Sequence, residues 1–208
     1  MHRLLLLAGL AVVLLCPGRA AHAQSPEAEP QVIEQSAAAL QDAQRAHLWR
    51  VAAWGGANAL GGLALVWSTS RSRQSAAWHF GAMSAGWGAV NVGIAAAGLY
   101  AASPPEATGA AVLGAERQFH DILLFNLGLN VAYSAVGATM LGAGYRDVRN
   151  AGRWRGFGTS LILQGAGLLV LDGIAFFASR ARLADLLDAG VSLSVHPLPA
   201  GAALALRF

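Results

Sequence analysis

The sequence predicts an all-α membrane protein in which an N-terminal signal peptide precedes a bundle of four transmembrane helices. Apolar residues make up 55% of the chain and charged residues only 12%, whereas soluble domains carry roughly 25% charged residues. Four apolar stretches approach or exceed the ~20 residues that cross a bilayer. The remaining polar chain is too short to cover four such helices in water, so lipid is the predicted solvent.

The first 23 residues have the features of a cleavable signal peptide. Arg3 supplies the positive charge, residues 4–15 form an apolar run too short to span, and Ala21 and Ala23 flank a small-x-small cleavage site. An uncleaved anchor is the alternative. Cys16 lies within this segment, so we expect the mature chain to have no cysteine and therefore no disulfide or thiolate nucleophile.

Residues 24–50 are predicted to form a polar linker followed by an amphipathic helix, which either lies on the membrane or continues into the first span. The transmembrane domain is predicted over 51–179, with spans at 51–69, 76–102, 119–144 and 156–179. The tail, 180–208, is predicted to lie in the periplasm and to begin with a short amphipathic helix at 180–188. Alternating apolar residues then indicate a β-hairpin.

Arginine placement predicts the orientation of the bundle. The first connection contains Arg71 and Arg73, and the third contains Arg146, Arg149, Arg153 and Arg155. The positive-inside rule therefore puts both connections in the cytoplasm and both mature termini in the periplasm, as expected for a bacterial inner-membrane protein. A cleaved signal peptide requires the same arrangement. A net charge of +3 without a dense basic run makes nucleic acid an unexpected partner.

Each predicted span brings a polar side chain into the periplasmic half of the bilayer. A carboxylate in hydrocarbon costs about 2.5–3.5 kcal/mol, so Asp172 should face inward and be protonated or hydrogen-bonded. The candidate intramembrane polar cluster comprises Asp172, Asn58, Asn91, Asn126, Asn130, Tyr133 and Gln164. Two interpretations remain open: a structural layer that fixes the register of the helices, or a site for a proton or a ligand.

Small residues recur at every fourth position of the second span. Such a stripe lets another helix backbone approach closely, and it predicts packing within the bundle or between subunits. The predicted helix-packing stripe is Gly81, Ala85, Ala89, Gly93 and Ala97.

Histidines offer a third type of site. His47 and His120 fall near the periplasmic ends of the first and third spans, where a pair could ligate haem or a metal. The sequence lacks a Glu-x-x-His or His-x-x-x-His motif, a phosphate loop, a nucleophile elbow, a zinc signature and a dinucleotide fingerprint. We therefore expect no catalytic residues, no resident metal and no cofactor, and keep the histidine pair as an alternative.

Three strings carry a family resemblance: FGAMSAGWGAVNVGI at 80–94, NLGLNVAY at 126–133, and GFG at 156–158 leading to Gln164, Gly165 and Asp172. They resemble a family of small bacterial membrane proteins known only as a domain of unknown function. The resemblance covers about 49–177 and excludes the signal peptide and the hairpin. It implies four transmembrane helices and no assigned activity.

The leading functional hypothesis is a non-enzymatic membrane scaffold or partner-binding subunit, because no catalytic constellation is present. Its expected partners are the lipid bilayer and either a second copy of the chain or another membrane protein. The second hypothesis is a carrier or channel for protons or a small solute, centred on Asp172 with Asn58, Asn91 and Asn130. The third is a haem- or metal-binding redox subunit that uses His47 and His120.

Overall fold

The computed structural model describes residues 28–190 and two strands at 193–198 and 201–206, with side chains described from 30 to 188. The predicted signal peptide lies outside the described residues. The described part of the chain is mainly helical. Its helices are α1 (Ala28–Ser68), α2 (Ser75–Ala101), α3 (Gly109–Ala143) and α4 (Ala151–Gly190).

Three of these helices, α2, α3 and α4, are long and apolar enough to cross a membrane. The structure thus confirms a helical architecture with membrane-spanning capacity. Helix α1 is outside this group, because Asn58 and four glycines interrupt the apolar residues of its C-terminal half. The crossing of the bilayer by α1 stays a prediction.

The helices extend beyond the predicted spans. On the N-terminal side this is one of the two predicted alternatives, whereas on the C-terminal side it corrects the prediction of a separate flanking helix. Helix α1 runs without a break from Ala28 through Arg50 into the predicted first span. Helix α4 likewise continues through 180–188, which was predicted to be a separate short helix. No proline or glycine interrupts the chain at either junction, so the backbone hydrogen bonds of the helix continue.

Helix α3 begins at Gly109 rather than at residue 119, because the sequence before the predicted span also favours a helix. The Thr108 side chain accepts a hydrogen bond from the backbone N–H of Ala111 at 3.3 Å, which caps the first turn. The following alanines have the highest helix propensity of all residues. The predicted second connection, 103–118, is therefore a loop only up to Thr108.

The helices pack as two antiparallel hairpins. Helix α1 packs on α2, α3 packs on α4, and the contact between α2 and α4 joins the two hairpins. In contrast, no Cα atom of α2 comes within 8 Å of a Cα atom of α3. Helices α2 and α3 are therefore separated by a gap.

Glycines bring the helix backbones of each hairpin close together. A Cβ atom at Gly81 of α2 would lie 2.7 Å from the carbonyl oxygen of Gly62 on α1. A Cβ atom at Gly137 of α3 would lie 2.7 Å from the carbonyl oxygen of Gly158 on α4. A larger residue at these positions would have to push the helices apart, as expected for close packing of membrane helices.

The predicted stripe on α2 is only partly a packing face. Its first two residues contact α1, but Ala89, Gly93 and Ala97 are exposed on the outside of the bundle. Four residues advance about 400° around a helix, so a strict four-residue spacing drifts away from any neighbour. The buried residues of α2 alternate spacings of three and four instead: Gly81, Ser84, Gly88, Asn91 and Ala95.

An apolar cluster ties α1 to α3 and α4 beside the gap. It consists of Leu40, Phe119, Leu123 and Ala175, which are all buried. At the C-terminal end, strands β1 (Leu193–Leu198) and β2 (Gly201–Leu206) pair antiparallel, with Leu193 opposite Leu206.

Candidate functional site

A buried polar network connects three helices in the interior of the bundle. Nε2 of His47 on α1 lies 3.2 Å from Oδ1 of Asp172 on α4. Nδ2 of Asn130 on α3 donates a hydrogen bond to Oδ2 of the same carboxylate at 2.6 Å. His47, Asn130 and Asp172 are each at most 6% exposed. One carboxylate oxygen thus accepts a hydrogen bond and the other lies beside the imidazole, and these contacts offset the cost of burying this group.

A chain of amides fixes the orientation of Gln164 next to this network. Nδ2 of Asn58 donates to the carbonyl oxygen of Trp54 at 2.8 Å, so the amide oxygen of Asn58 points the other way. That oxygen accepts a hydrogen bond from Nε2 of Gln164 at 2.7 Å. Because Gln164 must present its nitrogen to Asn58, its Oε1 atom is left as an acceptor without a partner among the described residues.

The network borders a cavity of about 390 Å³ that all four helices line. Most of its wall is apolar, with Phe119, Leu123, Leu161 and Leu168 among the lining residues. Trp87 of α2 and Tyr133 of α3 also line it, and their ring centroids lie 5.1 Å apart. Their contact bridges the gap between α2 and α3 at one level of the bundle.

The polar residues singled out from the sequence come together at this cavity. Six of the seven predicted cluster members line it: Asp172, Asn91, Asn126, Asn130, Tyr133 and Gln164. The seventh, Asn58, does not line the cavity but is hydrogen-bonded to Gln164. The geometry thus brings the predicted residues into one region, whereas their role stays a prediction.

The contact between His47 and Asp172 was not predicted. The sequence interpretation began the first span at residue 51 and therefore put His47 at the membrane surface. In a continuous α1, His47, Val51, Trp54 and Asn58 alternate spacings of four and three residues, so they share one face of the helix. This spacing is the signal that could have linked His47 to the polar cluster.

The two histidines of the metal hypothesis have other neighbours. The ring of His120 stacks on that of Phe176, with the centroids 4.4 Å apart. His47 faces Asp172 and packs edge-on against Phe119. Within the described part of the chain, no group of three or more histidine, cysteine or acidic side chains could hold a metal ion. These contacts favour a polar network over a metal site for His47.

A second buried ionic cluster lies between α3 and α4 and was also missed. Glu116 is 1% exposed and accepts two hydrogen bonds from Arg182, both at 2.9 Å, and one from the hydroxyl of Ser179. The sequence interpretation put Glu116 in a loop and Arg182 in the periplasmic tail. The two residues meet because α3 begins earlier and α4 ends later than predicted.

A comparison with protein families matches residues 50–173, which is more than half of the chain, to one family model. The chain belongs to DUF6992, a family of unknown function. The predicted resemblance to a family without an assigned activity is therefore confirmed. Neither the curated proteins nor the solved structures contain a match.

The DUF6992 match covers every residue that lines the cavity from α2, α3 and α4, including Asp172. His47 lies outside the match, three residues before its start. The carboxylate and its amide partner therefore belong to the matched region, whereas the imidazole comes from the preceding part of α1.

Proposed function

We propose that this DUF6992 protein is an integral membrane protein of the bacterial inner membrane that binds a small molecule in the cavity beside His47 and Asp172. In this proposal α1 is the fourth span, the arginine-rich connections are cytoplasmic and the mature termini are periplasmic. The binding role differs from the scaffold role that the sequence alone favours.

The observation that carries the proposal is a cavity of about 390 Å³ that combines apolar walls with an ionisable pair. Small-molecule sites are typically clefts of about 300–1,000 Å³ lined by apolar groups and a few convergent polar ones. Ionisable residues within membrane spans are functional candidates by default. Here the ionisable residues His47 and Asp172 themselves line a cavity of this size.

A scaffold alone does not account for the cavity. Protein interiors are close-packed, so a bundle selected only for packing should not keep a cavity of about 390 Å³ lined by buried polar side chains. The exposed small residues Ala89, Gly93 and Ala97 leave room for a second helix on the outside of α2. A partner at that face is compatible with a ligand in the cavity.

The proposal is tested by the compounds that co-purify with the protein. Ile94 lines the cavity and is 61% exposed, so Ile94→Trp should fill the space with little disturbance of the core. Ile174 on α4 is 54% exposed and does not line the cavity, which makes Ile174→Trp the matched control. Mass spectrometry of organic extracts should find a compound in near-equimolar amount with the wild type and Ile174→Trp, but not with Ile94→Trp. The proposal is contradicted if all three proteins yield the same amount of the compound.

The pairing of His47 with Asp172 favours one second candidate, the translocation of protons or a small solute. A carboxylate beside an imidazole is the type of pair that passes protons through membrane proteins. Reconstituted vesicles with a pH-sensitive dye inside should then show a proton flux that Asp172→Asn abolishes. The exposed Asp121 provides the control, since Asp121→Asn should leave the flux unchanged. Absence of flux in the wild type excludes this candidate.

A further inference from the structure

The cavity lies where α2 and α3 separate, and this position indicates how a ligand would enter. No Cα atom of α2 comes within 8 Å of a Cα atom of α3, and side chains of both helices line the cavity in the gap between them. Two exposed isoleucines, Ile94 of α2 and Ile122 of α3, line the cavity from these helices. In the proposed membrane position, apolar exposed side chains face the hydrocarbon. The gap therefore connects the cavity to the acyl chains of the bilayer.

Among the described residues, three buried polar atoms of the cavity lining have no hydrogen-bond partner: Nδ1 of His47, Nδ2 of Asn91 and Oε1 of Gln164. Asn91 is 5% exposed, and its Nδ2 atom is buried without an acceptor. Gln164 is 3% exposed, and its Oε1 atom is buried without a donor. Buried polar groups cost free energy unless they are hydrogen-bonded. The two amides thus offer one donor and one acceptor to a ligand that carries the complementary groups.

The ionisable residues of the wall exclude a strongly charged head group. Among the described residues that line the cavity, none is arginine or lysine, so an anionic head would meet Asp172 without a compensating cation. Both oxygens of Asp172 are already engaged by His47 and Asn130, and the imidazole stands beside the carboxylate. A cationic head would therefore compete with an existing partner. A neutral head avoids both costs.

We infer that the ligand is an uncharged, lipid-like amphiphile. Its head carries a carbonyl or hydroxyl oxygen that accepts from Nδ2 of Asn91 and a hydroxyl that donates to Oε1 of Gln164. Its apolar chain reaches the bilayer between α2 and α3. This inference rests on the proposed function and adds the chemical class of the ligand and its route. The aromatic contact between Trp87 and Tyr133 closes the gap at one level and limits how far the ligand extends along the bundle.

The test compares amphiphiles that share one chain and differ in the head group. Purified wild type in detergent is mixed with 1-monooleoylglycerol, oleate or oleyltrimethylammonium, and the bound fraction is measured by native mass spectrometry. The glycerol ester has a carbonyl acceptor and hydroxyl donors without charge, so it should bind at least tenfold more tightly than either ion. Equal binding of all three, or preference for an ion, overturns the inference.

Variants then locate the head group. Each of Asn91→Leu and Gln164→Leu removes one hydrogen bond to the head group, and each should weaken binding of the glycerol ester about tenfold. Gln164→Leu also removes the bond to Asn58 within the protein. Gln118→Leu is the matched control, because Gln118 is exposed and does not line the cavity. Ile94→Trp should abolish binding because the indole fills the space through which the apolar chain of the ligand extends to the bilayer. If Asn91→Leu and Gln164→Leu bind as the wild type does, the inferred head-group contacts are wrong.

The wild-type measurements separate the two proposals. A co-purified compound that Ile94→Trp excludes, but that proves to be charged, supports the proposed binding function and overturns the inferred ligand class. If neither a co-purified compound nor any of the three amphiphiles binds the wild type, the proposed function itself fails.

Discussion

Nε2 of His47 and Oδ1 of Asp172 lie 3.2 Å apart and connect α1 to α4 in the interior of the bundle. The two helices otherwise contact each other much less than each contacts its hairpin neighbour. The pair therefore joins two hairpins that are held together mainly through α2 and α4. A buried pair of this type is weak evidence for stability, since apolar residues can replace it without loss, but removing one partner is costly.

A double-mutant cycle should detect the coupling between these residues. His47→Leu removes the imidazole beside the buried Asp172 carboxylate, and Asp172→Leu removes the carboxylate beside the imidazole, so each should lower the free energy of unfolding by about 3–5 kcal/mol. The double variant should lose clearly less than the sum of the two, because contacting residues couple by about 0.5–3 kcal/mol. The free energy of unfolding is measured in mixed micelles for the wild type, the two single variants and the double variant. Strict additivity shows that the two side chains do not interact.

Glu116 and Arg182 should contribute to stability independently of that pair. Glu116→Gln keeps the shape of the side chain but removes the charge from three hydrogen bonds, so it should cost about 1.5–3 kcal/mol of unfolding free energy. The exposed Glu34 near the start of α1 provides the control, since Glu34→Gln should change stability by less than about 0.5 kcal/mol. An equal effect of the two substitutions contradicts the role assigned to the buried cluster.

The helical architecture and the polar residues that meet at the cavity could be predicted from the sequence, whereas the partners of the ionisable residues could not. Composition and hydropathy locate apolar stretches, but they end each helix where charged residues begin. In this chain α1, α3 and α4 continue beyond those points. His47, Glu116 and Arg182 all lie in the continued parts, so hydropathy put them at the surface, although His47 and Glu116 are buried.

The packing stripe shows a second limit of sequence periodicity. A run of small residues indicates that close approach is allowed, but it does not say which neighbour approaches or over how many turns. Of the stripe residues, only Gly81 and Ala85 pack closely against α1. The position of α1 depends on its own glycines, Gly55 and Gly62, which the stripe does not include.

Two glycines of the same stripe should therefore respond differently to the same substitution. In Gly81→Val, the new Cβ atom would lie within 3 Å of both the backbone of α1 and the side chain of Leu65. Overpacking of this type costs about 1–3 kcal/mol. Gly93→Val meets nothing within 4 Å and has the same effect on helix propensity. The difference in unfolding free energy between the two variants isolates the α1–α2 contact. Equal losses indicate that α1 does not pack closely at Gly81.

Gly93→Val also tests whether the outer half of the stripe contacts another subunit. The exposed residues Ala89, Gly93 and Ala97 lie on the outside of α2, where a partner helix could approach. If they form a subunit contact, Gly93→Val should shift purified protein from an oligomer to a monomer in size-exclusion chromatography with light scattering. A monomeric wild type removes the need for such a contact.

Labelling of single cysteines should determine whether α1 crosses the membrane. The variants are Gln35→Cys on α1, Ser72→Cys in the first connection, Ala107→Cys in the second and Arg149→Cys in the third, each at an exposed position and each in a Cys16→Ala background. The positive-inside rule predicts that an impermeant maleimide added to intact cells with a permeable outer membrane labels residues 35 and 107. Residues 72 and 149 should react only after the inner membrane is opened.

Positions 35 and 72 lie on either side of the predicted first span and test α1, whereas positions 107 and 149 lie on either side of α3. Opposite labelling of 35 and 72 shows that α1 spans, although glycines and Asn58 reduce its hydropathy. Opposite labelling of 107 and 149 shows the same for α3 and fixes the direction of the bundle. Labelling of residue 149 in intact cells reverses the direction, and the cavity would then face the cytoplasmic half of the bilayer. Labelling of both 35 and 72 from outside would make α1 a surface helix, and His47 could not reach Asp172 within the hydrocarbon.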